Sequence, residues 1–298
     1  MFPALLTTIF FSVSAIAANR TSRILGGTEA NFWRILLAAV FLAILANLFG
    51  VGLNGPALPV FFISGVVGFG IGDLALYQAF PRLGSRLSIM LVHCLAAPFA
   101  AAIEWAWLKT HLTLAEGLCS ALILAGVALA LAPKEHLHLP RRTLLFGVTM
   151  GVLAALGQGF GAVLSRKAYE IARQANFSMD GISAAYQRIW GGVGVALLSM
   201  AWSKTRSRET RAKKDWPKTL PWLFANALAG PALGVACFQW ALGTTKTVIV
   251  LPIVALTPLA IMPFSYYLEG ERPSARSIAG GVIAVAGVIC LTLARHHE

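Results

Sequence analysis

The chain is short of charged side chains, above all of acidic ones. Only 12% of its 298 residues are Asp, Glu, Lys or Arg, whereas 57% are hydrophobic and the mean hydropathy is +0.73. A soluble domain has about 25% charged residues, so this chain has too few to cover the surface of one. Intrinsic disorder is excluded as well, because it requires low hydrophobicity. The composition predicts a polytopic membrane protein surrounded by the lipid bilayer.

The sequence also lacks the motifs of metal, cofactor and nucleotide sites. Its four cysteines lie singly in apolar runs, without the spacing of zinc ligands or of a redox pair, which is typical of small buried hydrophobic side chains. No HExxH, GxSxG or Walker-type glycine-rich loop occurs. We therefore expect no cofactor and no bound metal, and any transport must proceed without ATP.

The net charge of +12 does not indicate a nucleic-acid partner. Most Lys and Arg side chains lie in short connections between apolar runs, where such charges orient helices relative to the membrane, and no nucleic-acid-binding motif accompanies them. Counted by connection, 16 of them share a membrane face with the basic stretch 203–218, and six share the opposite face with both termini. The positive-inside rule therefore predicts that both termini lie outside the cell.

Ten apolar runs are long enough to span a bilayer. About 20 helical residues cross ~30 Å of hydrocarbon, and a helix satisfies its own backbone hydrogen bonds there. We expect an all-α membrane protein with ten transmembrane helices at residues 3–19, 31–49, 58–79, 87–108, 114–132, 143–165, 181–202, 219–242, 246–268 and 275–294. Residues 1–18 resemble a signal peptide at their Ala-rich end, but no positively charged segment precedes them, which favours a retained first helix.

The second half of the chain repeats an order of residues found in the first. Three pairs of positions illustrate the repeat, at a nearly constant offset: Arg34 with Arg188, Gln78 with Gln239, and Pro98 with Pro258. Five spans is an odd number, so a second five-helix unit must be inverted relative to the first, as in many secondary transporters. We predict two such repeats, residues 1–134 and 143–295.

Several segments carry a likeness that goes beyond hydropathy. They are the arginines near the starts of helices 2 and 7 (Arg34 and Arg188), Gln78–Phe80 running into Ser85–Met90, Leu95–Pro98 with its counterpart Leu256–Pro258, and the hairpin Leu268–Ser274 followed by Gly280 and Gly287. Together these segments resemble the EamA-type family of the drug/metabolite transporter superfamily. The resemblance implies ten helices in two inverted halves that move small metabolites or drugs, often as export. It also implies cytoplasmic termini, opposite to the charge count, and Lys109–His111 replaces the Gly-Glu expected in the first hairpin.

Ionisable side chains inside membrane spans are costly and usually face a cavity. Asp73 and His93 lie about ten residues before and after the turn Pro81–Arg86, which places both near the membrane midplane on neighbouring helices. Such a pair can exchange a proton in each transport cycle or bind a cationic group. Alternatively, an Asp–His hydrogen bond only holds the two helices together. Asp73 is our candidate coupling group, with the proton as the coupling ion.

Glutamines and arginines inside the spans are further candidates for the substrate site. Gln78, Gln158 and Gln239 offer amide groups either to a polar ligand or to neighbouring helices. Arg34 and Arg188 either extend to the lipid headgroups, or meet an anionic substrate or a cluster of carbonyl groups at a helix C-terminus. Both interpretations of each group stay open at this point.

Aromatic residues, prolines and glycines complete the candidates. Tyr77 and Trp240 either line an amphiphilic pocket or anchor helices at the membrane interface, where Glu104 is also expected. The predicted helix breaks or hinges are Pro98, Pro252 and Pro258, because proline frees carbonyl groups in a span. The pairs Gly68/Gly72 and Gly157/Gly161 have the spacing that lets helices approach closely.

The sequence therefore favours a secondary transporter that moves a small metabolite or drug across the plasma membrane by alternating access, with efflux as its direction. A membrane-embedded enzyme is one alternative, since Gly70–Asp73 spells the GxGD string of intramembrane aspartyl proteases. That chemistry needs a second carboxylate at the same depth, whereas Asp180 and Asp215 lie at or beyond the span ends. A non-transporting membrane scaffold is the other alternative, and it leaves the inverted repeat without a role.

Overall fold

The computed structural model describes residues 1–109, 113–131, 140–206, 215–269 and 275–296, and the regular secondary structure of these residues is entirely helical. The helices are α1 (Phe2–Leu25), α2 (Gly27–Phe49), α3 (Leu58–Gly65), α4 (Asp73–Ile103), α5 (Leu114–Leu131), α6 (Arg141–Gln174), α7 (Gly181–Arg206), α8 (Trp216–Ala227), α9 (Val235–Thr244), α10 (Thr247–Val254), α11 (Thr257–Glu269) and α12 (Ala275–His296). Val66–Gly72, Glu104–Leu108 and Leu228–Gly234 are π-helical. Residues 270–274 of the hairpin Leu268–Ser274, residues 207–214 of the stretch 203–218, and residues 110 and 111 lie outside the described residues.

Six helical stretches are long and apolar enough to cross a membrane by length and composition. They are Phe2–Leu25, Gly27–Phe49, Leu58–Ser85, Ser88–Trp107, Arg141–Gln174 and Trp216–Thr244. Three shorter apolar helices, Gly117–Gly126, Thr247–Pro263 and Ile278–Gly287, accompany them. The part of the chain that the structure describes thus has helices in the predicted apolar runs, as expected of a helical membrane protein.

Several helix boundaries differ from the prediction. The expected turn Pro81–Arg86 is a kink within α4, centred on Gly84, whose φ of 77° lies in the left-handed region that favours glycine. The expected single helix 246–268 is two helices, α10 and α11, because the helix is interrupted between Val254 and Thr257. α6 continues to Gln174, past its expected end at 165.

Glycines let α6 lie directly against the π-helical segment Val66–Gly72. A Cβ added to Gly157 would lie 2.6 Å from the Cα of Gly72, and one added to Gly161 would lie 3.2 Å from the Cα of Gly68. The pairing 157 with 72 and 161 with 68 makes the two segments antiparallel. The close approach predicted from the four-residue spacing is confirmed for these two pairs.

We refer to residues 1–131 and 140–296 as the N-terminal and C-terminal halves. α1 of the first packs against the break between α10 and α11 of the second. The Thr8 hydroxyl donates to the Ile253 carbonyl and the Ser12 hydroxyl donates to the Thr257 carbonyl, each at 3.1 Å. Backbone groups near a helix break need such partners because lipid offers none.

The connection between α2 and α3 is hydrogen-bonded to the start of α7, and we call this contact the α7 clamp. The Asp180 carboxylate accepts from the Val51 amide at 3.1 Å, and the Ser183 hydroxyl accepts from the Gly52 amide at 3.0 Å. The Gln187 amide donates to the carbonyl of Gly52 at 3.0 Å. The residue before α7 and the first two turns of α7 therefore fix a loop that belongs to the other half of the chain.

Candidate functional site

A cavity of about 90 Å³ lies where α1, α2, α4 and the segment Val66–Gly72 of the N-terminal half meet α6, α7, α9 and the segment Leu228–Gly234 of the C-terminal half. We call it the central cavity. Its polar and ionisable lining residues are Ser14, Arg34, Asp73, Tyr77, His93, Gln158 and Arg188. Because each water-sized group needs ~15 Å³, the central cavity has room for roughly six such groups. All of these residues except Ser14 were selected from the sequence.

Arg34 and Asp73 form an ion pair on the cavity wall. Nη2 of Arg34 donates to Oδ2 of Asp73 and also to the Asn31 side-chain oxygen, at 2.9 Å in the second case. The Arg34 side chain is 7% exposed and that of Asp73 is 22% exposed. The Arg34 guanidinium also lies 4.8 Å from the centre of the Tyr77 ring. Arg34 thus points inward, and Asp73 faces a guanidinium rather than a second carboxylate.

Tyr77 connects α4 to α8 through a chain of hydrogen bonds. The Asn226 amide donates to the Tyr77 hydroxyl at 2.6 Å, and the Ser14 hydroxyl donates to the Asn226 oxygen at 2.8 Å. All three side chains are buried. Because buried polar groups without partners are costly, this chain fixes the orientation of the Tyr77 ring beneath Arg34.

His93 is bound to Gln158 rather than to Asp73. Nε2 of Gln158 lies 3.1 Å from Nδ1 of His93, and the His93 ring stacks on that of Phe11 with a centroid distance of 6.3 Å. An amide nitrogen only donates, so Nδ1 accepts and the imidazole is neutral in this arrangement. The expected Asp73–His93 hydrogen bond is not found among the described residues, although both side chains line the central cavity.

Arg188 lies in the cavity wall without an anionic partner. It is 4% exposed, and its guanidinium makes no hydrogen bond or ion pair with any described residue. The centre of the Phe69 ring lies 5.2 Å from the guanidinium carbon, and the Asp73 carboxylate in the same cavity wall interacts with Arg188 electrostatically without forming an ion pair. Gly68 and Gly161 make room for it, since an added Cβ would lie 2.8 Å and 3.3 Å from Nη2, respectively. Arg188 is buried rather than extended towards lipid headgroups.

Three predicted site residues lie outside the central cavity. Gln78 donates to the Thr28 hydroxyl at 3.0 Å and lines a separate pocket beside α7. Gln239 is fully buried, and neither polar atom of its amide has a hydrogen-bond partner. Trp240 is 50% exposed and lines a second pocket of about 630 Å³ with Asp180.

The three prolines behave differently from one another. Pro98 is exposed and lies within the uninterrupted part of α4. Pro252 and Pro258 flank the break between α10 and α11, where the interruption of the helix is real. The Ile253 carbonyl at this break accepts from the Thr8 hydroxyl, so it is not left for a ligand.

Several contacts around the cavity are not predictable from the sequence. Asn226, Ser14 and Phe11 shape the cavity, and the only available signal was a polar or aromatic residue inside an apolar run. Glu104 was expected at the membrane interface. It is buried within the protein rather than exposed at the surface, with a carboxylate oxygen 3.4 Å from Nε of Arg166.

Comparison with known proteins identifies the class. The EamA-like transporter family matches residues 1–132 and 145–293, so the chain belongs to that family and to the drug/metabolite transporter superfamily. A solved structure titled only "Crystal structure of protein" is similar over 99% of this chain and 98% of that chain, with a TM-score of 0.73 and 17% identity, which shows the fold alone. None of the curated proteins compared matches. The chain is a membrane transporter, with lipid as its surroundings and a small molecule as its cargo.

Proposed function

We propose that the protein is a secondary transporter that moves a small metabolite or drug out of the cell across the plasma membrane by alternating access around the central cavity. The observation that carries this proposal is the composition of the cavity wall. Charged and polar side chains from both halves converge there, whereas most of the neighbouring helix surface is apolar. Ionisable groups inside a membrane protein usually mark a substrate or ion pathway.

Ten spans in two inverted halves are part of this proposal. The six long apolar stretches, the 26-residue α7 and the three shorter apolar helices together make ten. Helix packing supports a two-fold relation between the halves, because the contacts are reciprocal. α2 packs against its counterpart α7 and α5 against α12, while the contact of α1 with α8 is matched by that of α6 with α3. With five spans in each half, a two-fold axis must lie in the membrane plane, so that the halves are inverted.

Asp73 is the proposed coupling group. Its carboxylate borders the cavity and is held by Arg34. Proton uptake by Asp73 removes its negative charge and ends the ion pair, and proton release restores both. The charge on the cavity wall thus changes with one proton, and a gradient of protons can drive the exchange between outward-facing and inward-facing states.

Reconstituted vesicles test the proposal. Purified protein is incorporated into liposomes, and uptake and efflux of a panel of labelled metabolites and drugs are measured with and without a pH difference. We expect flux of at least one compound to depend on the pH difference and to lose that dependence in Asp73→Asn. Failure of every compound to cross would overturn the transport proposal, and flux insensitive to both pH and Asp73→Asn would overturn the coupling.

Asp215→Asn is the matched control. Asp215 is an aspartate outside the membrane spans, at the start of α8, with an exposed side chain hydrogen-bonded to Lys218. The side-chain hydrogen bond with Lys218 lowers the pKa of Asp215 below its usual value, so it stays ionised near neutral pH. The same substitution there should leave the pH dependence of flux unchanged.

A further inference from the structure

The central cavity contains more positive than negative charge. Its ionisable lining comprises two guanidinium groups, Arg34 and Arg188, and a single carboxylate, Asp73. His93 is neutral in its hydrogen bond with Gln158. Arg34 and Asp73 compensate each other directly. The wall therefore carries one net positive charge, and Arg188 is the guanidinium that has no hydrogen-bonded or ion-paired carboxylate among the described residues.

The missing counter-ion corresponds to a specific difference between the two halves. Asp73 lies five residues before Gln78, and the residue five before the equivalent Gln239 is Gly234. The N-terminal half thus provides both an arginine and its carboxylate, whereas the C-terminal half provides only the arginine. Arg188 consequently has no ion-pair partner among the described residues, whereas Arg34, its counterpart in the repeat, is paired with Asp73.

Burying an unpaired charge costs free energy. The packing around Arg188 nevertheless leaves space for its guanidinium group in the cavity wall. Gly68 and Gly161 both border Nη2 of Arg188, and a methyl group at either position would crowd it. Glycine at both positions leaves the guanidinium room in the cavity wall. A planar guanidinium with unused donors is suited to bind a carboxylate through two parallel hydrogen bonds.

Resting on the proposed transport function, we propose that the substrate is a small carboxylate with a net charge of −1, bound by Arg188 in the central cavity. The single uncompensated positive charge matches a monoanion, whereas a phosphate group carries about −1.5 to −2 near neutral pH. A cavity of about 90 Å³ holds a head group of a few non-hydrogen atoms. Phe69 and Phe11 on the wall suit a short apolar remainder.

Binding and flux are measured separately, with propionate as the probe. In detergent, competition with labelled propionate compares unlabelled propionate, its neutral isostere propionamide, propylammonium and inorganic phosphate. In vesicles, exchange of labelled propionate is followed. We expect propionate alone to compete, and Arg188→Gln to weaken its binding about 10- to 100-fold, the range for a lost hydrogen bond to a charged group. Arg188→Lys should retain part of the affinity, since lysine keeps the positive charge but lacks the two parallel N–H donors of the guanidinium group.

Arg20→Gln is the matched control, because Arg20 lies near the end of α1 over the Trp222 ring and does not line the cavity. It should bind propionate like the wild type. The melting temperature of Arg188→Gln should equal or exceed that of the wild type, because the variant removes an unpaired buried charge. A lower melting temperature with unchanged propionate binding would assign Arg188 a structural role and overturn the inference.

The possible failures are distinguishable. If propionate does not bind, or if propionamide, propylammonium or phosphate competes more strongly, the carboxylate inference is wrong, whatever the flux of other compounds. If propionate binds through Arg188 but nothing crosses the vesicle membrane, the anion site stands and the transport proposal is wrong. Exchange of propionate that Arg188→Gln abolishes and Arg20→Gln preserves supports both.

Discussion

The Tyr77 hydroxyl accepts a 2.6 Å hydrogen bond from the Asn226 amide, and this bond joins the two halves of the chain at the wall of the central cavity. Tyr77 is fully buried, and its ring lies under the Arg34 guanidinium. The bond therefore positions the Tyr77 ring, whose face contacts the guanidinium group of the ion-paired Arg34. Both partners are polar groups in an apolar region, so the loss of either leaves the other without compensation.

Tyr77→Phe should lower the free energy of unfolding by about 1–3 kcal/mol, because it leaves the buried Asn226 amide without an acceptor. Denaturant titration in detergent micelles measures the change. Tyr169→Phe is the control: the Tyr169 hydroxyl is also buried but has no hydrogen-bond partner, so its removal should cost nothing. Equal losses in the two variants would show that the Tyr77–Asn226 bond does not stabilise the protein.

The Arg34–Asp73 pair should behave as a unit. Breaking a buried pair costs about 3–5 kcal/mol, and we expect the lower end for Arg34→Met because the Asp73 side chain is 22% exposed. Asp73→Asn in the same chain should recover much of that loss, since no uncompensated carboxylate remains. A double-mutant cycle of unfolding free energies measures the coupling, and additive single effects would contradict it.

The residues of the central cavity are predictable from the sequence, but their partners are not. Arg34, Asp73 and Arg188 stand out as charges inside apolar runs, because lipid makes such charges costly wherever the chain folds. Which charge meets which depends on the rotation and crossing of helices, and that is set by packing between distant segments. The sequence accordingly predicts His93, its neighbour across a turn, as the partner of Asp73, whereas α2 brings Arg34 to it instead.

The internal repeat does not predict the partners of side chains either. Gln78 and Gln239 occupy equivalent positions in the sequence, yet Gln78 is half-buried and bound to Thr28, whereas the amide of Gln239 is buried without a partner. Positions that correspond in the sequence do not have the same neighbours, because the other residues of the two halves differ. Glycine spacing was more informative, since close approach is a property of the backbone itself.

Gly157→Ala should destabilise the fold, because its Cβ would lie 2.6 Å from the Gly72 Cα and neither backbone can yield without moving a helix. A loss of about 1–3 kcal/mol is expected for such overpacking. Gly194→Ala in α7 is the opposite case: nothing lies within 4 Å of its Cβ, so it should gain about 0.5–1 kcal/mol from helix propensity. Unfolding free energies in micelles compare the two, and a neutral Gly157→Ala would contradict the close contact.

The α7 clamp gives the last prediction. Asp180→Ala removes the acceptor of the Val51 amide and of the Ser183 amide at the start of α7, so the loop between α2 and α3 should open more often. Hydrogen–deuterium exchange at Val51 should then accelerate about 5- to 10-fold, the equivalent of losing one hydrogen bond of about 1 kcal/mol. Ser199→Ala is the control, since the Ser199 hydroxyl donates only within its own helix turn to Ala196. Unchanged exchange at Val51 in Asp180→Ala would mean that packing of the loop, rather than the Asp180 carboxylate, keeps it closed.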